Sequence, residues 1–184
     1  VVSFGSSYPQ AVERAITPTE KDFCTAFPDF KIYRTFTSGR IREKIRQRDG
    51  HAPDSPAEAF VRMKEEGIEE VLVQPLQFVP GEEYRKVSEL VNSLRQSGDF
   101  KKICMGRTLL HYNGQEDRPD DYQEVAEIVS RLLPDPDARE GVVLMGHGSP
   151  EAPNVAYELM GHRLQQRWPW IHLATVEGGP DIRS

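Results

Sequence analysis

A chain of 184 residues is enough for one domain or two smaller lobes, and 38% hydrophobic with 28% charged residues is an ordinary soluble, globular balance. The formal charge is −6, with 23 basic residues scattered among 29 acidic ones; this speaks against a nucleic-acid partner, which needs a basic stripe to neutralise phosphates. No apolar run approaches the ~20 residues of a membrane span, and Cys24 and Cys104, far apart and without a CxxC, fit buried free thiols rather than a disulfide scaffold or zinc knuckle.

The chain opens on Val1–Phe4, an apolar stretch read as a strand that runs into the turn Gly5-Ser6-Ser7-Tyr8. Pro9 to about Phe27 follows as a helix with Ala11, Ala15, Phe23 and Phe27 on one face, and Pro18 is expected to interrupt it. Lys31–Phe36 reads as a strand. Ser38 caps a helix over Gly39–Arg48 whose Ile41 and Ile45 point inward. Asp54-Ser55-Pro56 opens another helix that buries Ala59, Phe60 and Met63 and closes at Gly67. Glu70–Leu76 is a strand, and Glu82 to Ser97 a helix with Val87, Leu90, Val91 and Leu94 at helical spacing. Lys102–Met105 is a short strand, Asp120–Leu133 a helix, Gly141–Met145 a strand, Asn154–Arg167 a helix and Ile171–Val176 a final strand. The order βαβααβαβαβαβ implies an α/β fold of parallel strands with helices on both faces. Neither end looks natural: there is no starting Met, and Ser184 follows a strand-turn signal, so both termini read as cut. The expected compartment is the cytoplasm, with a removed signal peptide and a periplasmic location as the alternative.

The stretch richest in chemistry is Gly141-Val-Val-Leu-Met-Gly-His147-Gly-Ser149. A β-branched run ends in Gly-His-Gly, and open α/β sheets place ligands at the carboxyl ends of their strands. A histidine side chain titrates near neutrality, so His147 there can take a proton or bind a metal ion. The backbone N–H groups of this turn, and of Gly5-Ser6-Ser7, lie where an anion can be held. Gly81-Glu82-Glu83-Tyr84 opens the helix after the Glu70 strand; one of its carboxylates is read as joining His147 at a divalent cation, against the alternative of charges that favour the helix dipole. No GxGxxG, P-loop or Gly-x-Ser-x-Gly elbow occurs, which argues against nucleotide cofactors and Ser-His-Asp catalysis. His51, His111, His162 and His172 read as structural or solvated.

These motifs together resemble those of the anaerobic cobalt chelatases of cobalamin synthesis, the CbiK-type sirohydrochlorin cobaltochelatases. The segments that carry the resemblance are Val-Ser-Phe-Gly-Ser-Ser-Tyr (2–8), Phe-Thr-Ser-Gly (36–39), Arg-Gln-Arg-Asp-Gly (46–50), Val-Gln-Pro-Leu (73–76), Gly-Glu-Glu-Tyr (81–84), Met-Gly-His-Gly-Ser (145–149) and Val-Glu-Gly (176–178). The resemblance implies a class II chelatase fold of two Rossmann-like lobes without nucleotide, here 1–133 and the start of a second lobe over 134–184. It implies a tetrapyrrole and a divalent metal ion as substrates, Co²⁺ first with Fe²⁺ or Ni²⁺ as alternatives, and no further cofactor. His147 would be metal ligand and proton acceptor and Glu83 the second ligand, while Phe4, Gly5, Ser6, Ser7 and Tyr8 line the tetrapyrrole pocket. Arg40, with Arg42, is the candidate for the substrate's carboxylates. Three departures stand out: the family's second catalytic histidine would lie beyond Ser184, Gln77 replaces a His after Gln-Pro-Leu, and Glu151 replaces a second His after Gly-His-Gly. The competing readings are a ferrochelatase or nickel chelatase on the same scaffold and a tetrapyrrole or metal carrier without catalysis; homo-oligomer formation is left open.

Overall fold

In the computed structural model, residues 1–133, 141–148 and 154–180 are described. Ser149, Glu151 and the 134–140 connection lie outside them. The chain forms two compact units, one of residues 1–77 and 81–108, the other of 78–80 and 109–184.

In the first unit, β1 (Val2–Ser3) runs parallel to β2 (Thr35–Phe36), with Val2 opposite Thr35. Strand β3 (Glu70–Val73) runs parallel to β4 (Lys102–Met105), from Glu70 opposite Lys102 to Val73 opposite Met105. The chain leaving β3 joins the two pairs: Val2 N donates to Gln74 O at 2.8 Å, and Leu76 N donates to Val2 O at 2.7 Å. The spatial order is therefore β2-β1-β3-β4, which changes direction between β1 and β3. Strands β2 and β3 are shorter than the Lys31–Phe36 and Glu70–Leu76 expected from apolar content, because only Thr35 and Phe36 find ladder partners on β1 and only Glu70–Val73 find them on β4.

Alternation along β3 buries Val71 and Val73 and leaves Glu70 and Leu72 outside. Against Val2, Tyr33, Val71, Val73 and Ile103 pack Ala59, Phe60 and Met63 of α4 (Pro56–Glu65) and Val87 and Val91 of α5 (Glu82–Ser97). The cap chemistry agrees with the sequence. Ser55 and Glu58 form a reciprocal capping box before α4, and Ser38 Oγ accepts from Ile41 N at the start of α3 (Gly39–Asp49), whose Ile45 is buried.

The first helical region departs from expectation in two ways. Pro18 does not interrupt it: α1 (Pro9–Ala11) passes through one π turn (Val12–Ile16) into α2 (Thr17–Ala26), with Thr17 N donating to Val12 O five residues back. The wider turn relieves the ring clash that a proline imposes on a regular helix. The Ala11, Ala15 and Phe27 face is not buried; Phe27 instead stacks on Phe23 at 6.3 Å and meets Phe30 edge-on at 5.9 Å between ring centres. Cys24 and Cys104 are both exposed rather than buried, Cys104 because it alternates with inward-facing Ile103.

The second unit pairs β5 (Val142–Gly148) with β6 (Ile171–Glu177), again parallel, under α6 (Asp121–Leu132) and α7 (Asn154–Arg167). Its core holds Leu110, Tyr122, Val125, Ala126, Ala156, Met160, Leu164 and Ile171. Helix α6, grouped with the first lobe in the sequence, packs here on α7. The buried Asp121 carboxylate accepts from His111 N and Tyr112 N at 3.1 and 2.8 Å, and Arg163 of α7 reaches Asp120 at 2.9 Å, so the 109–120 connection is tied down from both sides. Among the described residues, no helix is long and apolar enough to cross a membrane.

Candidate functional site

His147 lies in a strand rather than in the turn expected from its glycines: β5 runs on through Gly148. Val142 and Leu144 pack toward the core, whereas Val143, Met145 and His147 are exposed. The imidazole thus stands open on the sheet at the carboxyl end of a parallel pair.

Its neighbours are glycines for separate steric reasons. A Cβ on Gly146 would sit 2.6 Å from a ring carbon of Tyr157 in α7 and 3.3 Å from Thr175 Cγ2. A Cβ on Gly148, whose φ is +75°, would fall 1.9 Å from the carbonyl oxygen of Glu177. The ring of Tyr157 and the end of β6 both close onto the backbone on either side of His147, so that the exposed histidine stands between two positions with no room for a side chain.

The register brings a carboxylate to the same edge. Gly146 pairs with Thr175 and Gly148 with Glu177, so Glu177 ends β6 opposite Gly148, one position on from His147 in the register. Glu177 is exposed. The chain beyond it is folded back by Thr175, whose N and Oγ1 both donate to Pro180 O, at 2.8 and 3.1 Å. In the sequence, Glu177 stands out only as a member of the Val-Glu-Gly segment at 176–178. Its available signal was a carboxylate closing an apolar strand just before Gly-Gly-Pro. An imidazole and a carboxylate at the ends of neighbouring strands are the residue types that hold a divalent ion and take up protons. Among the described residues there is no group of three or more His, Cys, Asp and Glu that could hold a metal ion.

Glu83 belongs to the first unit, in the first turn of α5. Its side chain is 31% exposed, with Oε1 3.6 Å from Lys86 Nζ. Glu82 meets the same ammonium at 2.7 Å, and that hydrogen bond holds the Glu82 carboxyl below its usual range. His147 belongs to the second unit.

The Phe4–Tyr8 turn follows β1 at the point where the strand order changes direction, the usual ligand position of such sheets. Gly5 has φ +91° and lies against Phe36, which would meet a Cβ at 2.5 Å. Phe4 and Tyr8 are exposed, and Ser6 Oγ accepts from Tyr8 N at 3.2 Å. Arg48 donates to Ser7 O at 2.5 Å and so fastens this turn, a role that 41 residues of separation conceal in the sequence. Arg40 is exposed on the first turn of α3. Arg42 is occupied: its Nε donates to Pro53 O at 2.9 Å and its Nη2 pairs with Glu58, which removes it as a free carboxylate binder.

The cobalt chelatase (CbiK) family model matches residues 1–184. Among curated proteins, the chain is 34% identical over 183 residues to the sirohydrochlorin cobaltochelatase of Salmonella typhimurium, covering 99% of this chain and 66% of that one. It is 26% identical over 178 residues to the sirohydrochlorin cobaltochelatase CbiKC of Nitratidesulfovibrio vulgaris, covering 97% and 61%. The chain thus spans somewhat less than two thirds of these relatives' length. Among solved structures, SirB from Bacillus subtilis with Fe3+ superposes with a TM-score of 0.66 at 18% identity, over 99% of this chain and 66% of that one, a likeness of fold. With the family model spanning every residue, the chain belongs to the CbiK cobalt chelatase family.

Proposed function

We propose that this chain carries the metal-handling end of a sirohydrochlorin cobaltochelatase, which inserts Co²⁺ into a tetrapyrrole. The reading is supported by family membership and by the 34%-identical relative of that name. The observation that carries the chemistry is His147, set between two sterically required glycines, with Glu177 ending the neighbouring strand. We further propose that the two units belong to two Rossmann-like lobes.

Insertion exchanges two pyrrole N–H protons and the ion's waters for four metal–nitrogen bonds, so two protons must leave. His147 in its neutral form binds the incoming ion through its free ring nitrogen and accepts a proton once the ion moves to the macrocycle; a protonated ring cannot bind again until that proton is lost. Glu177 offsets the ion's charge and passes protons to solvent. Two protein donors leave most of the coordination sphere open, as suits an ion that must be handed on. Glu83 serves as a further carboxylate at the carboxyl end of the first sheet. The Phe4–Tyr8 turn, stiffened by Arg48, lines the macrocycle site, and Arg40 attracts its carboxylates.

The test is anaerobic incubation of the full natural polypeptide with sirohydrochlorin and Co²⁺, with Fe²⁺ and Ni²⁺ in parallel, followed by absorbance. Turnover well beyond one equivalent, fastest with Co²⁺, is expected. A shift that stops at one equivalent would indicate a carrier and contradict the enzyme.

A further inference from the structure

Three side chains in the first unit hold buried polar atoms without a hydrogen-bond partner: Ser3 Oγ, Thr37 Oγ1 and both heteroatoms of the Gln77 carboxamide, Thr37 and Gln77 being half-buried residues. Asp54 Oδ2, the remaining buried oxygen without one, instead lies 2.9 Å from Arg62 Nη1 in an ion pair. The three fall at equivalent places in the topology. Ser3 ends β1, Thr37 follows the last residue of β2, and Gln77 is the first residue beyond the hydrogen bond from Leu76 N to Val2 O. They therefore mark the carboxyl ends of three adjacent strands, including β1 and β3, between which the strand order reverses.

An unpaired buried donor or acceptor destabilises a fold, and native structures keep few of them. Three at one edge call for a specific cause, and that edge is where doubly wound sheets take their ligands. The set offers donors: the hydroxyls of Ser3 and Thr37 and the Gln77 NH₂ group. We infer that Thr37 and Gln77, backed by Ser3, form a subsite for a carboxylate arm of the tetrapyrrole, an assignment that rests on the chelatase reading. The arm accepts hydrogen bonds from Gln77 Nε2 and Thr37 Oγ1, and a water drawn in with it donates to Gln77 Oε1. Because these atoms are shut off from solvent, engagement requires a local opening at the strand ends.

This makes a demand that a merely structural role does not. Replacing the amide by an apolar group of similar size removes an unsatisfied pair of atoms from the free protein while deleting a ligand contact. Gln77→Leu and Thr37→Val in the full natural polypeptide should raise the melting temperature of the free protein. They should also weaken sirohydrochlorin binding, read anaerobically by absorbance titration without metal, by about tenfold or more. A lowered melting temperature would show that the amide is already paired, through water, and would overturn the inference. Unchanged sirohydrochlorin affinity in both variants would overturn it as well while leaving the chelatase reading intact. If the unsubstituted protein fails to bind sirohydrochlorin, the chelatase reading falls and this ligand assignment falls with it.

Discussion

His147 is presented by what its neighbours lack. Gly146 has room for no methyl group because the Tyr157 ring occupies that space, and Gly148 has none because the Glu177 carbonyl does. Gly146→Ala should cost about 1–3 kcal/mol through overpacking and slow metal insertion by shifting the strand end. Adding Tyr157→Ala should recover part of both losses. Melting and insertion rates of the two single variants and the double variant check this; additive losses would mean that the ring and the glycine are not coupled. At this scale the sequence showed the histidine and the glycines, but the glycines suggested a turn. Their actual causes, an aromatic ring eleven residues on and a carbonyl from another strand, arise only when β6 and α7 close on β5. Glu177 was hidden for the same reason, since the register that puts it one position on from His147 is not written in either strand alone. The buried Gln77 amide was seen as a departure from the family, with nothing in the sequence to reveal that it lacks a partner.

The elements themselves were largely legible where one face is buried. Helix α5 begins and ends where its Val87 and Val91 spacing places it, and Ser55-Pro56 marks the start of α4. The strands were harder, because a run's apolar character does not say how many of its residues find ladder partners. The first helix misled because its regularly spaced Ala and Phe residues cover no core. The capping box of α4 gives a pH-dependent test. The Ser55 backbone N–H, with the Ser55 hydroxyl and Arg42, holds the Glu58 carboxyl below its usual value. A depressed carboxyl stabilises the fold fully above its unfolded value, and that stabilisation drains away as pH falls through the lower folded value. Glu58→Ala should therefore cost about 0.3–1 kcal/mol in urea unfolding at neutral pH, and progressively less as the pH falls through the carboxyl's lowered folded value. A cost that stays constant across that range would assign the loss to packing rather than to the carboxylate.

At the scale of the whole molecule, the alternation of strands and helices gave the α/β class and parallel pairing, because parallel strands need crossovers and these are helices here. The grouping of the elements was not legible, since α6 carries no mark of which strands it will cover. The result is two cores with separate memberships, one centred on Val91 and the other on Leu164. Leu164→Ala should cost about 2–5 kcal/mol, and its effect should add to that of Val91→Ala in the double variant, because the two share no packing partner. A strong interaction term in the double variant would show that the cores are one cooperative structure. The central claim is that the displayed strand end of β5 and β6 handles the metal. Its most direct test is the anaerobic rate of Co²⁺ insertion into sirohydrochlorin by the full natural polypeptide carrying His147→Ala or Glu177→Gln, with His162→Ala and His172→Ala as controls on exposed histidines of α7 and β6. His147→Ala should lower the rate at least ~10²-fold with the melting temperature unchanged, Glu177→Gln should lower it clearly but less, and the two controls should leave it as it was; near-normal insertion by His147→Ala would contradict the account.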